Sequence, residues 1–399
     1  MKIGAPFNYK LKRGLAGRRQ SCNRVKSNFS KDDKVIWMHA ASLGEYLQGL
    51  PVLIRLKEEL PNHKILITFF SPSGYENVIK KETIADVICY LPFDREKWIE
   101  EFTANFKTDI FFTVKYDYWY NLLAHLKKSG AKMYVISAYF YETQVFFKPY
   151  GNWFVSSLKN SIDWFFHQTK HSTALAKSVG LTNSSTSGDT RFDQVKHNLT
   201  RNNEVAGLFR FVNGKKVVVF GSSWQAEERI AEIVSKKNSN VKIIIAPHDL
   251  KRVESLISQF PKVILYSDYL KSQETSQFFE WDAPVLIIDS IGLLSKLYSY
   301  ADIAVVGGGF HSAGLHNILE AAVFGVPVFF GDQYQKNPEA DELIAENGGR
   351  AMEDEFFAAQ FILELLANEP LRKEMGDNAG RFISSQPNAT EYVVKKILA

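Results

Sequence analysis

The feature that most constrains this chain is the recurrence of short, unbroken apolar runs with amphipathic stretches between them. Residues 35–40, 65–69, 110–114 and 133–137 form one set, and 217–220, 241–246, 285–288 and 303–306 form a second. Helical patterns lie between most of them, as at 47–60 and 121–128. Strands apolar on both faces belong in parallel sheets covered by helices on each side. The expected class is α/β, with two Rossmann-like doubly wound domains facing each other across a cleft. The polar, charged stretch 194–216 is the expected linker between the halves. A chain of 399 residues is comfortable for two such cores.

Charge is uneven along the chain. Residues 1–31 carry nine basic side chains and no acidic one: Lys2, Lys10, Lys12, Arg13, Arg18, Arg19, Arg24, Lys26 and Lys31. Such a segment is compatible with an anionic membrane surface, where each nearby Lys or Arg contributes about 1 kcal/mol. It is equally compatible with nucleic acid or with a plain solvated terminus, and charge alone slightly favours the last. No run of about 18 apolar residues is present, and no apolar secretory segment opens the chain. A soluble or peripheral, cytoplasmic protein is expected. The two cysteines, Cys22 and Cys89, stand far apart without metal spacing.

The most informative stretch is 305–330, VVGGGFHSAGLHNILEAAVFGVPVFF. An apolar run ends in Gly307-Gly308-Gly309, and a helix is expected to start near Leu315 or His316. A helix start carries a partial positive charge of roughly half a unit, which suits a phosphate. Glu320, with Asn317 one turn before it, could accept hydrogen bonds from ribose hydroxyls. Glycines that serve only the packing of an ordinary strand–helix turn are the competing explanation. The spacing is not G-x-G-x-x-G, and there is no Walker lysine motif, H-E-x-x-H, paired C-x-x-C or D-x-D. No metal and no cofactor are therefore expected.

Several spaced motifs together resemble the Kdo (3-deoxy-D-manno-octulosonic acid) transferases of lipopolysaccharide synthesis, within the GT-B glycosyltransferases. They are WMHAASLGE at 37–45, TFFSPSGYE at 68–76, YDYWYN at 116–121 and SGDTRFDQV at 187–195. The second half adds GSSWQAEE at 221–228, APHD at 246–249, DSIGLLSKLYSYADIAVVGGGF at 289–310, HNILEAAVFGVPVFFG at 316–331, and Asn337. The resemblance implies an inverting transferase that moves Kdo from CMP-Kdo to a lipid A precursor without a metal. It implies an acceptor domain over 1–195, a donor domain over 196–370 and a helix at 371–399 crossing back to the first domain. Gly221, Ser222, Pro247, His248, Gly308, Gly309, His316, Asn317 and Glu320 would line the CMP site. Ser42, Gly44, Ser71, Ser73, Gly74 and Lys115 would face the acceptor. The implied partners are CMP-Kdo, the lipid A precursor and the anionic cytoplasmic face of a bacterial inner membrane, with no nucleic acid.

The chain also departs from the family pattern. Pro247-His248-Asp249 stands where Pro-Arg-His is usual, which removes one fixed positive charge near the nucleotide. Lys115 stands where an acidic residue is common, and Tyr120 where proline is.

Glycoside formation requires a base for the acceptor hydroxyl, and Glu45 is the candidate that the resemblance singles out. Read on its residues alone, Glu45 fits a carboxylate capping a first helical turn better. Pro51 suggests a helix starting near Gln48, or an earlier start with a kink. His39 reads as a satisfied core histidine, and His316 as a nucleotide contact. Residues 139–166 hold eleven aromatics. Trp164–Phe166 are expected in a core strand, while for residues 141–154 a core segment and a membrane-facing surface are equally expected readings. Other readings are a GT-B enzyme using a UDP-sugar, such as a UDP-sugar 2-epimerase, and an inactive nucleotide- or membrane-binding module.

Overall fold

The computed structural model describes residues 9–80, 83–275, 278–312 and 314–399, with the side chains of residues 9–13 left undescribed. Lys2 and Phe7 lie outside the described residues, as do the side chains of Lys10, Lys12 and Arg13. The chain forms two compact units, Met1–Gln194 with Pro387–Ala399, and Val195–Gln386.

The first unit holds β1 (Lys34–Ala40), β2 (Lys64–Phe69), β3 (Val87–Tyr90), β4 (Lys107–Val114), β5 (Lys132–Ala138), β6 (Trp164–His167) and β7 (Ser184–Thr186). They form one parallel sheet ordered β3-β2-β1-β4-β5-β6-β7. The second unit holds β8 (Lys216–Ser223), β9 (Val241–Pro247), β10 (Val263–Leu265), β11 (Val285–Ile287), β12 (Ile303–Val306), β13 (Val328–Gly331) and β14 (Gly349–Met352). Its order is β10-β11-β9-β8-β12-β13-β14, again parallel. The central strands of both sheets are buried on two faces, which is why they read as unbroken apolar runs. In each, strand order reverses beside the first strand, between β1 and β4 and between β8 and β12. Ligands of doubly wound sheets bind at the carboxyl ends of the strands there.

Over its described residues, from Tyr9 onward, the basic N-terminal segment is not a frayed tail. Tyr9–Asn28 is a helix packed on β3, with Ser21 and Val25 fully buried. Arg18 donates to the carbonyls of Phe70 (2.7 Å) and Leu91 (3.1 Å), and its guanidinium lies over the rings of Phe70, Tyr90 and Phe93. Part of the positive charge is thus engaged inside the unit.

The linker region is largely helical. Thr190–Thr200 runs through the boundary between the units, and Leu208–Val212 adds a short turn. The final stretch is two helices rather than one. Glu369–Ser385 belongs to the second unit, and Ala389–Leu398 packs in the first against the helix Leu43–Glu59. Pro387 sits between them, where a helix would lose a backbone donor. Asp193 accepts from both the backbone N–H (2.7 Å) and the hydroxyl (2.8 Å) of Thr390, which fixes the returning segment to the first unit.

The aromatic segment divides residue by residue. Phe140 and Phe146 are core, and Phe147 and Phe154 pack against it. Tyr141, Tyr150 and Trp153 are exposed, Tyr150 and Trp153 by about two thirds of their surface (69% and 64%). Trp164–His167 is the expected strand.

Candidate active site

In the first unit the switch point is built from the ends of β1, β2 and β4. Beyond β1, the helix Leu43–Glu59 takes the earlier of the two starts expected, because Ser42 and Glu45 form a capping box. Glu45 Oε2 accepts from the backbone N–H of Ala41 (2.5 Å) and Ser42 (3.1 Å), while the Ser42 hydroxyl accepts from the Glu45 N–H (3.5 Å). The helix continues through Pro51. Burial and the nearby charge of Asp117 push the Glu45 carboxyl above the usual range, outweighing the hydrogen bond from Ala41 and the charges of Lys115 and His39. The capping role read from the residues is therefore real, and yet the group is not acidified.

Asp117, beyond β4, was not among the sequence-derived candidates. Its carboxylate lies 2.7 Å from His39 Nε2, and His39 is wholly buried. The Thr68 hydroxyl meets His39 Nδ1 at 2.9 Å and accepts the Trp37 indole N–H at 2.8 Å. His39 Nε2 lies 2.7 Å from Asp117 and 3.2 Å from the Trp119 indole nitrogen; with the proton on Nε2, His39 donates to Asp117 and Nδ1 accepts from Thr68. His39 is a core histidine as expected, but it leads from the core to the site. Asp117 is held below its ordinary range by His39 and by the Trp119 indole, despite its burial. The YDYWYN motif contained the signal, an acid set among aromatics directly after a buried strand.

The expected acceptor residues share this edge. Ser42 and Ser71 are N-caps, and the hydroxyls of Ser71 and Ser73 lie 2.9 Å apart. Lys115 holds a left-handed backbone (φ 63°) at the end of β4. Gly44 is exposed and open, with only the Ser42 hydroxyl at 4.0 Å from where a Cβ would stand. Gly74 is buried instead; a Cβ there would stand 2.4 Å from the Phe69 ring.

In the second unit the ends of β9, β8 and β12 converge. Trp224, beyond β8, stacks on His248, beyond β9, with centroids 4.5 Å apart and planes at 19°. His316 packs against His248 at 4.7 Å, and His311 meets Trp224 edge-on at 4.5 Å. Burial depresses His248 and takes His316 down to about 4, and the neighbouring imidazoles add to both effects. Beneath them, Glu227 is fully buried and accepts from the backbone N–H of Gly308 (3.0 Å) and Trp224 (2.8 Å); burial raises its carboxyl. Glu228, also buried, is held by the Arg252 guanidinium through two bonds. Trp224, Glu227, Glu228 and His311 were all missed as site residues.

The expected helix start at Leu315 or His316 is not there. Residues 314–317 are irregular, and the helix is the single turn Leu319–Ala322. Asn317 ties it down: its carbonyl accepts from the Leu319 N–H (3.1 Å), and its amide donates to Glu320 (3.2 Å). Burial raises the Glu320 carboxyl. Several glycines serve packing. At Gly221 a Cβ would stand 2.0 Å from the Tyr298 hydroxyl, and at Gly309 2.6 Å from the Gly331 nitrogen. Gly308 adopts φ +96°, with a Cβ position 2.2 Å from the Gly314 carbonyl. Ser222 is left-handed at φ 51°, and Pro247 ends β9 beside it. Among the described residues, no group of three or more His, Cys, Asp or Glu is placed to hold a metal ion.

Residues 15–194 match the family model for 3-deoxy-D-manno-octulosonic-acid transferase (kdotransferase). The chain is 27% identical over 388 residues to a bifunctional glycosyltransferase/methyltransferase of Fusobacterium nucleatum, covering 94% of this chain but only 59% of that protein. It is 26% identical over 337 residues to the 3-deoxy-D-manno-octulosonic acid transferase of Aquifex aeolicus, covering 83% of this chain and 86% of that one. The crystal structure of UDP-GlcNAc 2-epimerase from Neisseria meningitidis superposes with a TM-score of 0.62 at 18% identity, over 92% of this chain and 99% of the other, and shares its fold. The chain has the two-sheet α/β fold shared with that epimerase, and along most of its length it is similar to the Kdo transferases.

Proposed function

We propose that the protein is an inverting transferase that moves Kdo from CMP-Kdo to a lipid A precursor in lipopolysaccharide core synthesis. The observation that carries the mechanism is the Glu45 carboxylate, tethered through Oε2 at the β1–β4 switch point and raised by burial and Asp117. A base profits from a raised pKa, because it then holds a transferred proton more firmly. Glu45 Oε1 takes the proton of the acceptor hydroxyl, the hydroxyl oxygen attacks the anomeric carbon, and CMP leaves with the bonding pair. One displacement with no covalent enzyme intermediate inverts the sugar. The donor nucleotide is assigned to the second unit, at Ser222, Pro247, His248, Gly308, His316, Asn317 and Glu320. Gly221 and Gly309 support that loop through their packing.

We assign the acceptor to the Ser42–Gly44, Ser71–Ser73 and Lys115 edge, and peripheral attachment to the cytoplasmic face of the inner membrane. The exposed Tyr141, Tyr150 and Trp153 support the attachment, since aromatic side chains favour the headgroup level. Among the described residues, no helix is long and apolar enough to cross a membrane.

The test is a transfer assay with CMP-Kdo generated in situ, a tetraacyl lipid A precursor and EDTA. A heavier lipid product is expected. No product, with UDP rather than CMP binding in a calorimeter, would replace this reading with a UDP-sugar enzyme.

A further inference from the structure

We propose that the positive charge meeting the donor's phosphate is acquired on binding, as one proton taken up by the His248–His311–His316 cluster. The inference rests on the assignment of the nucleotide to the second unit and goes beyond it.

The cluster stands at the β8–β12 switch point, where three imidazoles and one indole are in ring contact. Of the two arginines on this side, Arg252 is paired with a carboxylate and Arg201 bonds only neutral groups among the described residues. Arg252 is bound through two nitrogens to Glu228, and Arg201 donates to Ser295 and Asn203. The other ionisable groups around the cluster are carboxyls: Glu227 from below, Asp249 following His248, and Glu320 beyond Asn317. A phosphate entering this site with all imidazoles neutral would meet several acids, while Arg252 is already bound to Glu228 and the charge of Arg201 acts on Glu320. The buried indole N–H of Trp224 also finds no acceptor among the described residues. An unsatisfied donor beside three imidazoles is an arrangement that an oxyanion completes.

Without a ligand, burial and mutual repulsion keep His248 and His316 neutral near pH 7. A bound phosphate reverses the balance, because an adjacent negative charge favours the imidazolium. The sign follows from linkage. A group whose affinity for protons rises on binding makes binding tighter as pH falls, by up to about tenfold per pH unit for one proton.

The experiment is calorimetry of the full chain with the methyl ester of CMP, a phosphodiester that does not itself titrate near neutrality. Titrations at several pH values between 5.5 and 8, in two buffers of different ionisation enthalpy, give both affinity and protons exchanged. Uptake approaching one proton, with affinity falling roughly tenfold from pH 6 to 8, is expected. His248→Arg supplies a fixed charge and should flatten the pH dependence while keeping binding. His311→Asn should reduce the uptake, and circular dichroism checks that it folds. Binding of the ester with no proton uptake at any pH would overturn the inference and leave the nucleotide site standing. No binding of the ester or of CMP, with UDP binding instead, would overturn the site assignment and the inference with it.

Discussion

Asp117 Oδ2 lies 2.7 Å from His39 Nε2, so a wholly buried imidazole on β1 positions a carboxylate at the end of the neighbouring strand β4. Asp117 in turn adds to the elevation of Glu45, which makes the pair a device acting on a third residue.

Asp117→Asn removes that charge while an amide oxygen can still accept from His39. Catalysis by Glu45 requires its ionised form, so activity falls as pH drops through its pKa. Without the Asp117 charge that pKa falls, and the acid limb of kcat/KM against pH should move to lower pH. An unmoved limb would show that Asp117 does not act electrostatically on Glu45.

Glu45→Gln and Glu45→Ala separate chemistry from capping. The glutamine oxygen can still accept from Ala41 and Ser42, so stability should hardly change. Turnover should nevertheless drop by about 10²–10⁴-fold, the usual contribution of a general base. The alanine variant should lose the same activity and about 1 kcal/mol of stability with the cap. Transfer assays paired with urea unfolding read both. Near-normal turnover in the glutamine variant would remove Glu45 as the base.

These residues show what the sequence could and could not reveal. The central strands were legible because nearly all their residues are buried, as in Ile303–Val306, whereas β7, β10 and β14, with partly exposed residues, left no such run. Glu45 was visible through its motif, but its cap and its elevated carboxyl were not separable by residue type. The helix start at Ser42 was obscured by Pro51, which a capping box nine residues earlier overrides. Asp117 and His39 are 78 positions apart, and only the β1–β4 pairing joins them. At the glycine loop only the helix start was misplaced. A helix was expected to start near Leu315 or His316, whereas Gly309 packs on Gly331 and the helix is the single turn Leu319–Ala322.

Gly308→Ala and Gly292→Ala form a matched pair. Both glycines have positive φ, +96° and +100°, so each substitution carries a left-handed penalty of about 1–2 kcal/mol. Gly292 has open space around the missing Cβ, whereas at Gly308 it would press on the Gly314 carbonyl at 2.2 Å. The Gly308 variant should therefore lose about 1–3 kcal/mol more, the range for forced overpacking. Urea midpoints compare them directly. Equal losses would mean that the 314–317 segment yields freely.

Arg252 and Glu228 test whether the acids under the imidazoles need their cation. Glu228 is 1% exposed, whereas the Arg252 side chain keeps about a quarter of its surface in water (27%). Arg252→Met strands a buried carboxylate and should cost about 3 kcal/mol, at the lower end for a broken buried pair because water still reaches that side. Glu228→Leu leaves an arginine that can turn to solvent, and should cost less. With both changes, no buried charge is left alone, so the double variant should be more stable than Arg252→Met by itself. Urea unfolding of the four proteins closes the cycle and yields the coupling. Strict additivity would mean that the two-bond contact contributes nothing beyond its separate parts. Non-additivity of the expected sign would show that Arg252 is committed to Glu228, a condition for the imidazoles being the charge that the phosphate meets.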